Sequence, residues 1–104
     1  MRKNIHQTST FNQKVWQATQ KIPRGKVTTY AAVARVLGKP KAARAVGNAL
    51  NKNRFRAVPC HRVVRSDGTV GGFARGTKEK MWLLKKEGIT IKANKISPQQ
   101  IISL

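Results

Sequence analysis

The chain is 104 residues long, and 22 Lys and Arg against 3 Asp and Glu give it a formal charge of +19. A single domain with one modest core is expected at this length, since only about 60–70% of the unfolded surface becomes buried, and 39% hydrophobic residues exclude a disordered basic tail. No apolar run approaches the roughly 20 residues of a membrane span, and the first residues lack a signal peptide's apolar stretch. One cysteine excludes an internal disulfide framework, and with two histidines it is too little for a closed zinc site. A soluble intracellular protein without a membrane role is the simplest expectation. So large a charge on so small a domain calls for a polyanion, nucleic acid first among them, because Lys and Arg neutralise phosphates and release their condensed counterions.

Residues 1–9 are polar and are expected to be a flexible N-terminus, with the domain over 10–104. Thr10 is placed to cap a helix, and Gln13 three positions on completes a capping box. Phe11, Val15, Ala18 and Ile22 mark one face of that helix, which Pro23-Arg24-Gly25 breaks. Val27-Thr28-Thr29 is an extended lead-in, and either threonine can cap a second helix over 30–37, stopped by Gly38. A third helix over 41–51 has two sides. Ala42, Ala45, Val46, Ala49 and Leu50 form the inward stripe, while Lys41, Arg44, Asn48 and Lys52 share the outer one. Two helices joined by a Gly-containing turn, the second with a basic outer face, make a helix-turn-helix pattern, though two ordinary packed helices would look alike. Gly47 costs a helix about 1 kcal/mol relative to Ala, which suggests close approach of another backbone.

Residues 51–58 read as a loop entering Pro59-Cys60-His61-Arg62. Val63-Val64 and Thr69-Val70 flank a Ser66-Asp67-Gly68 turn and predict a small hairpin. Gly71 to Gly76 is a flexible loop. Thr77 is placed to cap a last helix over 78–87, with Met81, Trp82, Leu84 and Leu83 facing inward and Gly88 ending it. A strand is expected over 89–91, and Ser97-Pro98 resembles a helix start. The fold class is mainly α with minor β, a winged-helix-like helix-turn-helix domain.

Cys60 is the only thiol and lies beside a histidine among basic segments. Cations and imidazole favour the reactive thiolate, whereas a lone cysteine is more often a small buried hydrophobe. In an extended segment His61 would face away from Cys60 and take its proton through a bridging water. Glu87, at a helix C-terminus where the dipole disfavours an anion, can orient His61 or simply pair with Lys85 or Lys86 at the surface.

The run Val58-Pro59-Cys60-His61-Arg62-Val63-Val64, preceded by Ala43-Arg44-Ala45-Val46-Gly47, resembles the O6-alkylguanine-DNA alkyltransferases (methylated-DNA–protein-cysteine methyltransferases). The resemblance spans about residues 10–91 and takes in Gly25 to Tyr30 and Trp82 to Gly88. It implies a domain that flips a damaged guanine out of double-stranded DNA and moves the alkyl group from O6 to a cysteine, irreversibly and once per molecule. By position, Cys60 resembles the alkyl acceptor, His61 the base acting through water, Glu87 the acid completing the relay, and Asn53 the brace of the active-site turn. Tyr30 resembles the tyrosine that orients or protonates the flipped base, and Arg44 the finger that fills the vacated stack. Val63 and Ala74 would line the guanine pocket through backbone groups, with Phe73 standing where a tyrosine is common. The second helix of the pair would enter the minor groove, Ala43, Ala45 and Gly47 being small enough, with Lys41, Asn48 and Arg62 as further DNA contacts.

The resemblance implies no metal or organic cofactor, a monomer bound to duplex DNA containing O6-alkylguanine, and a cytoplasmic or nucleoid location in a prokaryote or a nuclear one in a eukaryote. An N-terminal domain carried by many relatives is not expected here, and the segment from Asn53 to Cys60 is one residue shorter than in some. Three other readings compete: a non-catalytic alkyltransferase-like lesion binder, whose relatives lack the nucleophile; a helix-turn-helix regulator with a bystander cysteine; and a basic architectural or ribosomal protein.

Overall fold

The computed structural model describes residues 10–53, 55–73 and 75–104, so the expectations for residues 1–9 and for Ala74 lie outside the described residues. The chain is mainly helical with two small sheets. Helix α1 spans Phe11–Thr19, strand β1 Thr28–Thr29, α2 Tyr30–Val36 and α3 Ala43–Asn51. A 3₁₀ turn at Cys60–Arg62 leads into β2 (Val63–Val64), followed by α4 (Thr77–Lys86), β3 (Ile91–Lys92), β4 (Lys95–Ile96) and a 3₁₀ turn at Pro98–Gln100. No helix among these residues is long and apolar enough to cross a membrane.

Local signals set the helix ends. The Thr10 hydroxyl accepts from the Gln13 amide at 3.1 Å and the Gln13 side chain accepts from the Thr10 amide at 3.0 Å, closing the capping box. Thr29 caps α2 through the Ala32 amide at 3.0 Å. At its other end Gly38, at φ +75°, turns the chain so that the Gly38 and Lys39 amides reach the Arg35 and Ala34 carbonyls at 2.9 and 3.0 Å. This is the paired closure that a left-handed residue allows. Helix α3 starts at Ala43, not Lys41, with Ala42 as an N-cap of non-helical backbone (φ −98°, ψ 23°) that makes no side-chain cap bond.

Two apolar clusters form the interior. Val15, Ala18 and Ile22 meet Val33, Ala34, Val46, Ala49 and Leu50 in the first, while Val27, Val64, Val70, Leu84, Ile89 and Ile96 make the second. The predicted inward stripe of α3 holds at Val46, Ala49 and Leu50, whereas Ala45 is exposed. The buried hydroxyls are satisfied locally or across the fold, Thr19 by the Val15 carbonyl at 2.7 Å and Thr28 by the Ile102 carbonyl at 2.6 Å.

The predicted hairpin of Val63-Val64 with Thr69-Val70 does not form. β2 pairs in parallel with β1, Thr28 opposite Val63 and Thr29 opposite Val64, while Thr69 bridges to Lys95. The turn itself is present, held by the Gly68 amide on the Arg65 carbonyl at 2.9 Å. Successive strand residues point to opposite faces, so Val63 joins the first cluster and Val64 the second. The turn carrying Cys60 is thereby fixed where the two clusters meet. The late strand sits at 91–92, later than expected, and hairpins with β4 through Ala93 and Asn94, both at positive φ.

Helix α4 is capped by Gly76, with no side-chain bond from Thr77. Its buried face is set by Lys80 and Leu84. Trp82, expected inside, is 59% exposed and carries the Lys86 ammonium 4.9 Å from its ring centroid. At 100° per residue Trp82 stands about 200° around the helix from Lys80, so burying the lysine turns the tryptophan outward.

Candidate active site and nucleic-acid interface

Cys60 opens the 3₁₀ turn, half-buried against the first cluster. Its Sγ accepts from Asn53 Nδ2 at 3.1 Å and donates to the Leu50 carbonyl at 3.7 Å. Asn53 also ties the preceding loop, its Nδ2 donating to the Phe55 carbonyl at 2.9 Å and its Oδ1 accepting from the Phe55 amide at 3.0 Å. One side chain thus fixes both the loop and the sulfur. The thiol faces a cavity of about 720 Å³ lined by Asn53, Phe55, Arg56, Cys60, His61 and Phe73 among others, within the size range of small-molecule sites. Phe55, 61% exposed, meets the Trp16 ring edge-on at 5.9 Å. Cys60 and His61 lie in a turn rather than the extended segment expected from sequence, and both reach the same cavity.

Behind the turn, Glu87 caps α4 and accepts both arms of Arg62, from Nε at 2.9 Å and from Nη2 at 2.8 Å. Arg62 Nη1 also donates to the Ile22 carbonyl at 2.8 Å. His61 Nε2 lies 3.0 Å from Glu87 Oε2. That contact is close but not aligned as a hydrogen bond, leaving buried Nε2 without a well-directed partner. Glu87 therefore pairs with His61 and Arg62, not with Lys85 or Lys86. Arg62, expected to face DNA, is instead spent inside the fold: its side chain is 16% exposed with every described contact internal.

Burial pushes the Cys60 thiol above its ordinary value, against the lowering effects of the Asn53 hydrogen bond and of Lys80 and Arg75. Burial likewise pushes His61 below its ordinary value, with Glu87 opposing. The resting pair is a neutral thiol beside a neutral imidazole. Burial alone would raise Glu87, but its two bonds from Arg62 and the close contact with His61 outweigh that and hold the carboxyl below the usual glutamate value.

Lys80 was not singled out in the sequence, yet it is fully buried. Its Nζ donates to the Val63 carbonyl at 2.7 Å, the Gly72 carbonyl at 3.0 Å and the Tyr30 hydroxyl at 3.3 Å. Burial, assisted by the charge of Arg65, pushes its ammonium down to about 8. The signal was present in its spacing, four residues before Leu84 on the inward face. Lys80 also changes the expectation for Val63, whose side chain is buried and whose carbonyl is already occupied. Burial raises the Tyr30 hydroxyl above its ordinary value, Arg65 opposing.

Tyr30 opens onto a second cleft of about 560 Å³, with Ala43, Arg44, Gly47 and Asn48 of α3 and with Arg65 and Ser66 beyond β2. Gly47 faces the Tyr30 ring, a methyl at its position lying 3.7 Å from Cε1, so a side chain rather than a backbone approaches it. Ala45 and Lys41 are exposed beside the cleft, Lys41 ahead of the helix. Among the described residues no group of three or more His, Cys, Asp or Glu is placed to hold a metal ion.

Several known proteins are similar to this chain. The chain is 49% identical over 79 residues, 75% of its length and 46% of the relative's, to the methylated-DNA–protein-cysteine methyltransferase of Salmonella typhimurium. The crystal structure of Mycobacterium tuberculosis OGT in complex with DNA superposes with a TM-score of 0.71 at 42% identity, over 74% of this chain and 48% of that one. S. pombe Atl1, in complex with damaged DNA containing O6-carboxymethylguanine, superposes with a TM-score of 0.76 at 32% identity over 100% of both chains. The chain spans about half the length, or less, of the curated relatives it matches. The family model for the DNA-binding domain of 6-O-methylguanine DNA methyltransferase matches residues 10–89, and the chain belongs to that family.

Proposed function

We propose that residues 10–104 act as one catalytic and DNA-binding unit that repairs duplex DNA by taking the alkyl group from O6 of an everted guanine onto Cys60, once per molecule. The observation that carries this reading is the placement of Cys60 Sγ on a cavity of about 720 Å³, with room for a purine, held by Asn53 and beside His61 backed by Glu87. Strong positive charge and relatives named for methylated DNA support DNA as the partner.

A paired base hides O6, so the guanine must leave the stack, at a cost of a few kcal/mol. The exposed face of α3 lies against the minor groove, its small residues Ala43, Ala45 and Gly47 allowing close approach. Arg44 offsets the cost by filling the vacated space. Neutral His61 takes the thiol proton through water, and Glu87 stabilises the imidazolium that forms. The thiolate attacks the alkyl carbon, forming the S–C bond as the C–O6 bond breaks and its electron pair passes into the purine. The Tyr30 hydroxyl, polarised by Lys80 at 3.3 Å, donates toward the ring nitrogen where charge develops. No proton is held on sulfur afterwards and no group regenerates the thiol. The reaction requires no metal or organic cofactor, and the protein acts as a monomer inside the cell.

The match to S. pombe Atl1, in complex with damaged DNA, over 100% of both chains supports lesion binding, and a second reading is such binding without transfer. A duplex containing O6-methylguanine, incubated with the protein and followed by digestion, separates the two. A methyl group on the Cys60 peptide, lost in Cys60→Ala, is the expected result. An unmodified thiol after preferential lesion binding would establish the second reading instead, and absence of any lesion preference would return the chain to a general duplex binder.

A further inference from the structure

The second cleft holds a cation, Arg65, that neither base extrusion nor the transfer chemistry uses, beside the Arg44 assigned to the vacated stack. Arg44 comes from α3 and Arg65 from the turn after β2, and both line the same space with Tyr30, Gly47, Ser66 and Gly72. Neither guanidinium has an ion-pair or hydrogen-bond partner among the described residues. No Asp or Glu lines the cleft.

Arg65 is also held in place. Gly71, at φ +79°, brings the backbone so close that a methyl there would lie 3.3 Å from Arg65 Cγ and 3.4 Å from the Tyr30 hydroxyl. The arginine stem therefore packs along Gly71, with its Nε 3.6 Å from the same point, next to the tyrosine. An arginine so pre-positioned loses little rotamer freedom on meeting an anion, and its planar fork suits phosphate oxygens. Its charge already acts on Tyr30 and Lys80, lowering both, so an anion at Arg65 would also relieve repulsion in the site.

We propose that Arg65, with the Ser66 hydroxyl beside it, clamps a phosphodiester of the strand carrying the everted nucleotide, opposing α3 so that the strand is gripped from two elements. The proposal rests on the function argued above, since it takes duplex DNA as the ligand. Arg65 lies outside the helix-turn-helix pair, and its position next to Tyr30 assigns it to the phosphate flanking the lesion. Holding that phosphate aside is what an extruded base requires of its backbone.

The test is binding to duplex DNA over a range of KCl concentrations. Each neutralised phosphate adds about 0.9 to the slope of log affinity against log salt, so Arg65→Gln should lose about eightfold less affinity per tenfold rise in salt than the wild type. Arg65→Lys should keep the wild-type slope. Lys92→Gln, which removes a charge from exposed β3, should leave it nearly unchanged. A duplex with a neutral methylphosphonate next to the lesion should bind the wild type more weakly but make no further difference to Arg65→Gln. An unchanged slope in Arg65→Gln, an equal fall in Lys92→Gln, or additive losses with the methylphosphonate would each overturn the clamp. Alkylation of wild-type Cys60 judges the proposed function separately, so the two can fail independently.

Discussion

Lys80 makes a quantitative prediction because its burial and its proton affinity oppose each other. In the folded chain its ammonium has three oxygen partners but no carboxylate, and burial pushes it down to about 8 from the ordinary 10.5. Between those values the unfolded chain still binds a proton that the native chain has released, so raising the pH through this window stabilises the native state. Below it both states are protonated and the burial penalty is fully present. Integrated from about pH 7 to about pH 10, that linkage is worth about 2 to 3 kcal/mol. Lys80→Met removes the titration. The stability gap between wild type and Lys80→Met, measured by urea unfolding, should therefore widen in favour of the wild type by that amount between the two pH values. Subtracting one protein from the other cancels the remaining lysines, while Tyr30, bonded to Lys80, and Cys60, lowered by its charge, add smaller differences. Lys80→Gln, which retains polar bonding without the charge, should show the same widening. A gap that stays constant or narrows at high pH would refute the depressed ammonium and with it the polarising role assigned to Lys80.

Three further outcomes follow from the same geometry. Glu87→Gln should slow alkyl transfer and destabilise the fold by about 1–3 kcal/mol, since it removes the charge from a nearly buried two-armed pair with Arg62. The stability gap should close in acid, because Glu87's contribution is present above the ordinary glutamate value and is lost as the pH falls through its lower folded value; a normal transfer rate would return Glu87 to a purely structural part. In the DNA-free protein, iodoacetamide labelling of Cys60 should rise about tenfold per pH unit through neutrality, as expected of a thiol whose value is raised, and labelling that saturates below pH 7 would contradict the neutral resting state. Gly47→Ala should stabilise α3 by about 0.5–1 kcal/mol, its methyl making only an ordinary contact with the Tyr30 ring. Weaker duplex binding by the same variant would show that the small surface there serves the groove, and unchanged binding would remove that role.

What the sequence made legible was chiefly local. The Thr10–Gln13 box, the Thr29 cap and the Gly38 stop each involve bonds within a few residues, and the outer stripe of α3 follows from helical periodicity alone. The errors arose where a distant segment decided. Val63 and Val64 have the β-branched character of hairpin strands, but their partners are Thr28 and Thr29, far earlier in the chain, and parallel pairing leaves no turn signature. Lysine is almost never fully buried without a partner, so the sequence alone turns Trp82 inward; the carbonyls of Val63 and Gly72, delivered by other segments, make Lys80 the buried residue. The fate of Arg62 was hidden in the same way. Its neighbours suggested a basic surface, whereas Glu87 and the Ile22 carbonyl draw it inside.

The same two cations explain why a reactive cysteine can rest safely in so basic a protein. Arg62 occupies both oxygens of Glu87, and Lys80 occupies the carbonyls that edge the site, so positive charge near the sulfur is largely committed to fixed oxygen partners. The sulfur itself accepts from the Asn53 amide and gives a long bond to the Leu50 carbonyl, and burial outweighs these bonds and the charges of Lys80 and Arg75 in raising the thiol. Activation then depends on what arrives. A purine filling the cavity would exclude water and strengthen the His61–Glu87 interaction. Under the proposed function, a nucleophile spent once per molecule would thereby be held neutral until the lesion is in place, a requirement that a permanently ionised thiol would fail.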